Sequence, residues 1–142
     1  MRIATYSFNL RKEVGVLSDN GMFLVPFDIS VDKAETGLLA FLDSPHRLSM
    51  RQERHDLSSE RLVLLAPIPR PRRNVICVGK NYREHVKEIA DQGFDTIDVG
   101  KDAPEAPVVF SKFPECVIGT GSVIEYDAET VGALDYEAEL AV

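Results

Sequence analysis

The sequence predicts an α+β protein in which strands predominate, and three observations lead to this fold class. Short segments of alternating apolar and polar residues recur along the chain, as expected for half-buried strands. The strand-like segments outnumber the helical ones and leave little room for repeated βαβ crossovers. A proline-rich stretch at residues 67–73 divides the chain. We therefore predict a small N-terminal α+β domain over residues 1–66, a connector over 67–73 and a second unit over 74–142.

The predicted N-terminal domain begins with strands. Residues 2–9 alternate in polarity, which predicts a half-buried strand. Two apolar runs then flank Asp19-Asn20-Gly21 in "EVGVLSDNGMFLVPF", and this turn sequence, which needs positive φ, is a strong hairpin signal. The segment "RLVLLAPIP" predicts a further strand that runs into the connector.

Two helices are predicted between these strands. Asp32 and Glu35 have the spacing of a capping box and predict the start of a helix that ends at Ser44-Pro45. Its core side would be formed by Leu38, Leu39, Phe41 and Leu42. Residues 47–60 are polar and predict a short, mostly exposed helix. His46 and His55 lie in these polar stretches, and the sequence assigns them no role.

The second unit begins with the strand "NVICVG", which leads into a helix that carries His85. Residues 92–107 are rich in Gly, Pro and Asp and predict a long loop of the kind that often acts as a lid. Three strand-like segments follow: "PVVFSKF" at 107–113, "SVIEY" at 122–126 and "ALDYEAELAV" at 133–142.

The last predicted strand carries three carboxylates, Asp135, Glu137 and Glu139, at alternate positions. Side chains alternate between the two faces of a strand, so all three would point the same way, with roughly 6.5–7 Å between the Cα atoms of neighbours. From spacing alone, a solvated strand face is the simpler interpretation. The apolar residues 140–142 instead favour a strand that enters a core, where clustered carboxylates need a cation. Hard oxygen ligands would select Mg²⁺, Mn²⁺ or Ca²⁺ over zinc.

Composition excludes several classes of function. The net charge of −7 argues against nucleic-acid binding, and the single basic cluster, at 69–74, is interleaved with proline. No apolar run approaches the roughly 18–20 residues of a membrane span, and the N-terminus lacks the apolar region of a signal peptide. Two cysteines do not make a disulfide framework. We therefore expect a cytoplasmic protein with no membrane partner. Because the chain stops inside an apolar strand pattern, we also expect it to be the front part of a longer protein.

Three segments in order resemble the fumarylacetoacetate hydrolase family: "NVICVGKNYREHVKE", "PVVFSKF" and "GTGSVIEYDAETVGALDYEAELAV". They contain the pattern V-G-x-N-Y-x-x-H-x-x-E followed by D-x-E-x-E-L. The resemblance covers residues 74–142, the front part of that family's core, and the first 66 residues are similar to the small N-terminal domain that many members carry. It implies a mixed β-roll or barrel-like core that is incomplete at the C-terminus.

The resemblance also implies roles for particular residues. Glu137 and Glu139 match the metal-binding glutamates, with Mg²⁺ (or Mn²⁺ or Ca²⁺) as the cofactor and a third ligand expected beyond residue 142. His85 and Glu88 match the catalytic dyad. Lys112 matches a substrate-binding residue, and Tyr82 is a further substrate-binding candidate. The full-length protein is expected to be a homodimer.

The implied substrate is a small 2-oxo acid or 1,3-dicarbonyl compound, similar to an acylpyruvate from aromatic-compound breakdown. A divalent ion on its carboxylate and oxo oxygens would stabilise an enolate. Hydrolysis, isomerisation and decarboxylation all use this enolate, so the choice among them stays open. One alternative is an inactive fragment or non-catalytic scaffold domain that lacks the third metal ligand. An acidic interaction module without an ion fits the charge but not the apolar residues 140–142.

Overall fold

The computed structural model describes residues 1–43, 48–79, 106–134 and 136–142. In these residues seven strands form, listed here with their bounds: β1 Ile3–Phe8, β2 Arg11–Leu17, β3 Phe23–Pro26, β4 His55–Asp56, β5 Leu62–Leu64, β6 Val75–Gly79 and β7 Val108–Lys112. The short helices are α1 Val31–Ala34, α2 Leu39–Leu42, the 3₁₀ turn Pro114–Cys116 and α3 Ala128–Val131. Five strands form one sheet in the order β4-β3-β2-β1-β5, and β6 and β7 form a second. The described part is therefore rich in strands and poor in helix, as predicted.

The first three strands form two successive hairpins. β1 pairs antiparallel with β2 from Ile3 opposite Val16 to Phe8 opposite Arg11. In the β2–β3 hairpin the backbone N–H of Ser18 donates to the carbonyl of Phe23 at 2.9 Å, and Gly21 has a φ of 72°. The predicted first strand and the predicted hairpin turn are thus both confirmed.

The five-stranded sheet buries residues on both faces. On one face Val14 packs with Phe27, Ile29, Ala34 and Ala40, so this core lies between the sheet and the two short helices. On the other face the Tyr6 hydroxyl lies 3.0 Å from Nδ1 of His55. Tyr6 is on β1 and His55 on β4, and β2 and β3 lie between these strands in the sheet. Flat strands in this order would be roughly 14 Å apart, so the sheet must curl to bring the two side chains together.

The helix predicted from Asp32 onward is instead two single turns, α1 and α2. The break falls at Gly37, whose φ of 61° lies in the left-handed region that ends a right-handed helix. The predicted capping box is wrong, because Ser30 is the N-cap residue and the Glu35 carboxylate instead pairs with the Lys12 ammonium at 2.5 Å. Leu42 is exposed rather than part of the core. The predicted stop at Ser44-Pro45 lies outside the described residues.

The predicted helix over residues 47–60 is also wrong in the part that the structure describes. Residues 48–60 contain turns and the short strand β4, and Met50 forms a β-bridge with Phe27. The backbone N–H of Arg51 donates to the carbonyl of Pro26 at 2.9 Å. The conformation of this segment is therefore determined by its pairing with β3 and with Phe27. This pairing overrides the local polar pattern, which is compatible with an exposed helix.

The connector residue Pro67 is held by the N-terminal unit. Its carbonyl accepts hydrogen bonds from the Thr5 hydroxyl at 2.6 Å and from the backbone N–H of Leu38 at 2.8 Å. Further along, Arg72 forms an ion pair with Asp43. These contacts fix the direction in which the chain leaves the first sheet toward β6.

The second unit confirms two of its predicted strands and corrects two others. The segments "NVICVG" and "PVVFSKF" form β6 and β7, which pair from Val75 opposite Lys112 to Gly79 opposite Val108. Residues 122–126 and the described residues 136–142 are not strands, so those predictions are wrong for this structure. A strand requires a neighbouring strand for its hydrogen bonds, and no described segment supplies one to either stretch. The helix around residue 85 and nearly all of the loop at 92–107 lie outside the described residues.

Candidate functional site

The β6–β7 pair carries the first candidate residue that the structure describes, Lys112. In the observed register Val75, Cys77 and Gly79 share one face with Val108, Phe110 and Lys112. Lys112 is the last residue of β7, and it is exposed. Next to it, the Asn74 amide lies 3.4 Å from the Ser111 hydroxyl, a long contact between the ends of the two strands. The sheet thus presents a lysine ammonium at one end of this face, where it can reach a solvent-borne anion.

Gly79, the last residue of β6, is covered by the ring of Phe110. A Cβ placed on Gly79 would lie 3.3 Å from Cε1 of Phe110, closer than an ordinary van der Waals contact. The chain continues from Gly79 into the segment with the predicted site residues Tyr82, His85 and Glu88, which lie outside the described residues. Their roles therefore remain predictions.

The predicted metal ligands Glu137 and Glu139 lie in an exposed stretch without strand pairing in the described residues, and Asp135 is outside them. The alternation that would place these carboxylates on one face depends on strand geometry, which residues 136–142 do not adopt here. The described residues contain no group of three or more His, Cys, Asp or Glu side chains that could hold a metal ion. The two carboxylates have the hard oxygen chemistry that Mg²⁺ prefers, but they are too few to make a complete site.

The segment that leads to these glutamates makes one close contact with the first sheet and contains one capped helical turn. Gly119 packs closely on the end of β5, since a Cβ there would lie 3.2 Å from the backbone N of Ala66. Further on, the Asp127 carboxylate accepts hydrogen bonds from the Thr130 hydroxyl at 2.6 Å and the Glu129 N–H at 3.0 Å. These two bonds hold the pKa of Asp127 below its usual value and cap α3.

The N-terminal unit contains a buried polar cluster that sequence reasoning missed, made of Tyr6, Glu13, Arg51 and His55. Glu13 lies opposite Tyr6 in the β1–β2 register, and its Oε1 lies 3.2 Å from Nη1 of Arg51. The His55 ring stacks on Phe8 with 3.9 Å between the ring centroids. Burial, followed by the charge of Glu13, raises the pKa of Tyr6 well above its ordinary value. No local pattern could reveal this cluster, because Tyr6 and His55 are 49 residues apart.

Comparison with known proteins identifies the second unit. The family model for the fumarylacetoacetate (FAA) hydrolase C-terminal domain matches residues 74–142. Residues 74–142 belong to the fumarylacetoacetate hydrolase family. This finding confirms the resemblance seen in the sequence, and the β6–β7 pair is the part of the family's fold that the structure describes as sheet. Among the described residues, no helix is long and apolar enough to cross a membrane.

Several curated proteins are similar to this chain. Oxaloacetate tautomerase YisK of Bacillus subtilis is 44% identical over 85 residues, which are 60% of this chain and 26% of that protein. Human mitochondrial oxaloacetate tautomerase FAHD2A is 34% identical over 86 residues, 61% of this chain and 24% of that protein. An uncharacterised protein of Pyrococcus abyssi is 38% identical over 68 residues, 48% of this chain and 25% of that protein. The matched part of the chain thus spans about a quarter of the length of these relatives.

Proposed function

We propose that the protein is a divalent-metal-dependent enzyme of the fumarylacetoacetate hydrolase family that acts on a 2-oxo acid through its enolate. The observation that carries this proposal is the 44% identity over 85 residues to a protein named as an oxaloacetate tautomerase. The human and bovine relatives bear the same activity in their names. Enzymes of this family generally depend on a divalent metal ion. We therefore propose keto–enol tautomerisation of oxaloacetate as the reaction to test first.

Tautomerisation is an isomerisation, one of the three reactions that the sequence leaves open. It moves one proton between C3 and the oxo oxygen of the substrate, breaks no carbon–carbon bond and needs no attacking water. Hydrolysis of an acylpyruvate-like substrate would begin from the same enolate. It is the second reaction to test, because the relatives' names support tautomerisation rather than a role in aromatic catabolism.

Each candidate residue has a part in this proposal. His85 would carry the C3 proton, removing it when the enol forms and returning it when the ketone forms, and Glu88, three residues later, would orient its ring and raise its basicity. Lys112 would pair with a substrate carboxylate, and its exposed position at the end of β7 suits that task. Tyr82 would contact the substrate. Glu137 and Glu139 would hold the divalent ion, which when bound stabilises the negative charge that develops on the oxo oxygen.

The test follows loss of the ultraviolet absorbance of enol-oxaloacetate, with the purified protein in Mg²⁺ or Mn²⁺ and with chelator. The rate above the uncatalysed reaction should increase in proportion to protein concentration and require the metal. Glu137→Gln should lower kcat by about 100-fold or more, because it removes a charged ligand. Glu129→Gln, an equal change on α3 outside the proposed site, is the matched control. Turnover by Glu137→Gln equal to that of the control would refute the role of Glu137.

The alternative, a non-catalytic scaffold domain or inactive fragment, is favoured by one observation. The described residues contain no group of three or more side chains that could hold a metal ion. This alternative predicts no catalysis and no change in thermal midpoint with millimolar Mg²⁺ or Mn²⁺. A metal-binding protein would instead gain about 2.7 kcal/mol of stability at a free-metal concentration of about 100 times Kd. The thermal midpoint therefore separates the two proposals even where turnover is slow.

Two further expectations accompany the main proposal. A homodimer of the full-length protein remains a prediction, to be checked by the mass of the protein in solution. A cytoplasmic location also remains a prediction, and some relatives are named as mitochondrial.

A further inference from the structure

The contact between Gly79 and Phe110 lies on the face of the β6–β7 pair that carries Lys112. A Cβ on Gly79 would lie 3.3 Å from Cε1 and 3.8 Å from Cδ1 of the Phe110 ring. The ring therefore occupies the space that a side chain at position 79 would need. Such a side chain and the ring cannot both keep these positions without a shift of a few tenths of an ångström.

The register shows in which direction the ring leans. Phe110 lies directly opposite Cys77, whereas Gly79 lies opposite Val108 and Lys112 lies opposite Val75. Gly79 and Lys112 are therefore at opposite ends of this face, with Phe110 between them. Because the ring lies over Gly79, it leans away from the end that carries Lys112. A larger residue at position 79 would displace the ring, and displacement back along β7 would bring it toward the lysine.

We propose that Gly79 is a positioning residue that acts through Phe110 on Lys112. By accepting the ring, Gly79 keeps the Lys112 end of the face open for the carboxylate of a 2-oxo acid. This inference rests on the proposed function, in which Lys112 pairs with a substrate carboxylate. It adds a specific prediction: the residue at position 79 controls substrate affinity although it carries no side chain of its own.

The first variant is Gly79→Ala, assayed by oxaloacetate tautomerisation. KM should rise about tenfold while kcat stays within about threefold, since a small displacement of a binding group weakens substrate positioning. The thermal midpoint should not fall by more than that of the control, because alanine is intrinsically the better residue in a strand. Val109→Ala is the control, since Val109 lies on the same strand with its side chain on the opposite face. It should leave KM within about twofold.

Two further changes test whether the effect passes through the ring. Gly79→Ala combined with Phe110→Leu should return KM to within about threefold of wild type, because the smaller side chain leaves room for the alanine. Phe110→Trp should raise KM as Gly79→Ala does, because it enlarges the ring against an unchanged glycine. This variant keeps the inference testable where Gly79→Ala fails to fold.

The decisive measurement is the double-mutant cycle with Lys112→Ala. In that background Gly79→Ala should cause no further rise in KM, because the residue through which it acts is gone. Additive effects, or an unchanged KM in both Gly79→Ala and Phe110→Trp, overturn the inference and leave the proposed function standing. A wild-type protein without turnover refutes the proposed function itself, and the inference falls with it. The two failures are therefore distinguishable.

Discussion

Arg51 is the residue whose replacement most directly tests how the N-terminal unit is held together. The side chain of Glu13 is only 4% exposed, and its Oε1 lies 3.2 Å from Nη1 of Arg51 and 3.2 Å from Nε of Arg11. The same Arg51 nitrogen pairs with Glu53 at 2.9 Å. Replacement of Arg51 by methionine keeps most of the side-chain volume but removes the charge. We expect this change to leave a buried carboxylate with one cationic partner instead of two.

The expected loss follows from these distances and exposures. Removal of one partner from a buried ion pair typically costs about 3–5 kcal/mol, because the remaining charge is left desolvated. Two features reduce that figure here: Arg11 remains beside Glu13, and the Arg51 side chain is 19% exposed. We therefore expect Arg51→Met to lower the free energy of unfolding by about 2–3 kcal/mol.

The assay is urea unfolding at neutral pH, with Arg54→Met as the matched control. Arg54 is exposed and forms no ion pair within the described part of the chain, so its replacement should cost less than about 0.5 kcal/mol. Adding Glu13→Gln to Arg51→Met should recover part of the loss, since no buried charge then remains to be compensated. If Arg51→Met costs no more than Arg54→Met, Glu13 does not depend on this arginine and the electrostatic reasoning is wrong.

Three smaller predictions concern the same unit. Leu10 is 99% exposed with a φ of 65°, so Leu10→Gly should stabilise the β1–β2 hairpin by about 0.5–1 kcal/mol in thermal unfolding, and any loss would contradict the turn geometry. Burial raises the pKa of Tyr6, so its hydroxyl ionises at a lower pH in the unfolded state than in the folded state. The free energy of unfolding of the wild type should therefore fall above about pH 10. Alkaline unfolding of Tyr6→Phe should show no such fall. The hydrogen bond from Arg51 lowers the pKa of Glu53, so the wild type should have a larger free energy of unfolding than Glu53→Gln above about pH 5. This difference should disappear as the pH falls, and a difference that persists at about pH 3 would refute the prediction.

Local sequence signals predicted the elements whose cause is local. The β2–β3 turn follows from Asp19-Asn20-Gly21, and β6 and β7 follow from short apolar runs. The helix predicted from Asp32 failed at Gly37, where a positive φ and contact with the connector outweigh the apolar spacing. A Cβ at this glycine would lie 2.5 Å from the carbonyl oxygen of Pro67. Glycine is therefore favoured here both by its positive φ and by the packing of a segment thirty residues away.

Some features of the candidate site follow from neighbouring residues in the sequence, and others depend on how the strands pair. Lys112 was placed on a strand from its own neighbours, and the structure confirms that strand. The interaction of its face with Phe110 and Gly79 depends on the β6–β7 register, which a single sequence does not determine. Similarly, the family assignment of residues 74–142 came from ordered motifs, whereas no periodicity argument could assign a chemical role to His85 or Glu88.

Glu137 and Glu139 lie in a sequence that alternates like a strand but is not paired as one in the described structure. Alternation determines which side chains share a face only after a neighbouring strand fixes the backbone, and residues 136–142 have no such pairing in the described structure. Ordering the backbone costs roughly 1–2 kcal/mol per residue, and binding by two carboxylates must offset that cost before any affinity remains. Pairing with another strand would offset the entropy cost of ordering this backbone whether or not an ion is bound. Under the proposed function, the affinity for a divalent cation at these glutamates would therefore depend as much on what pairs with residues 136–142 as on the carboxylates themselves.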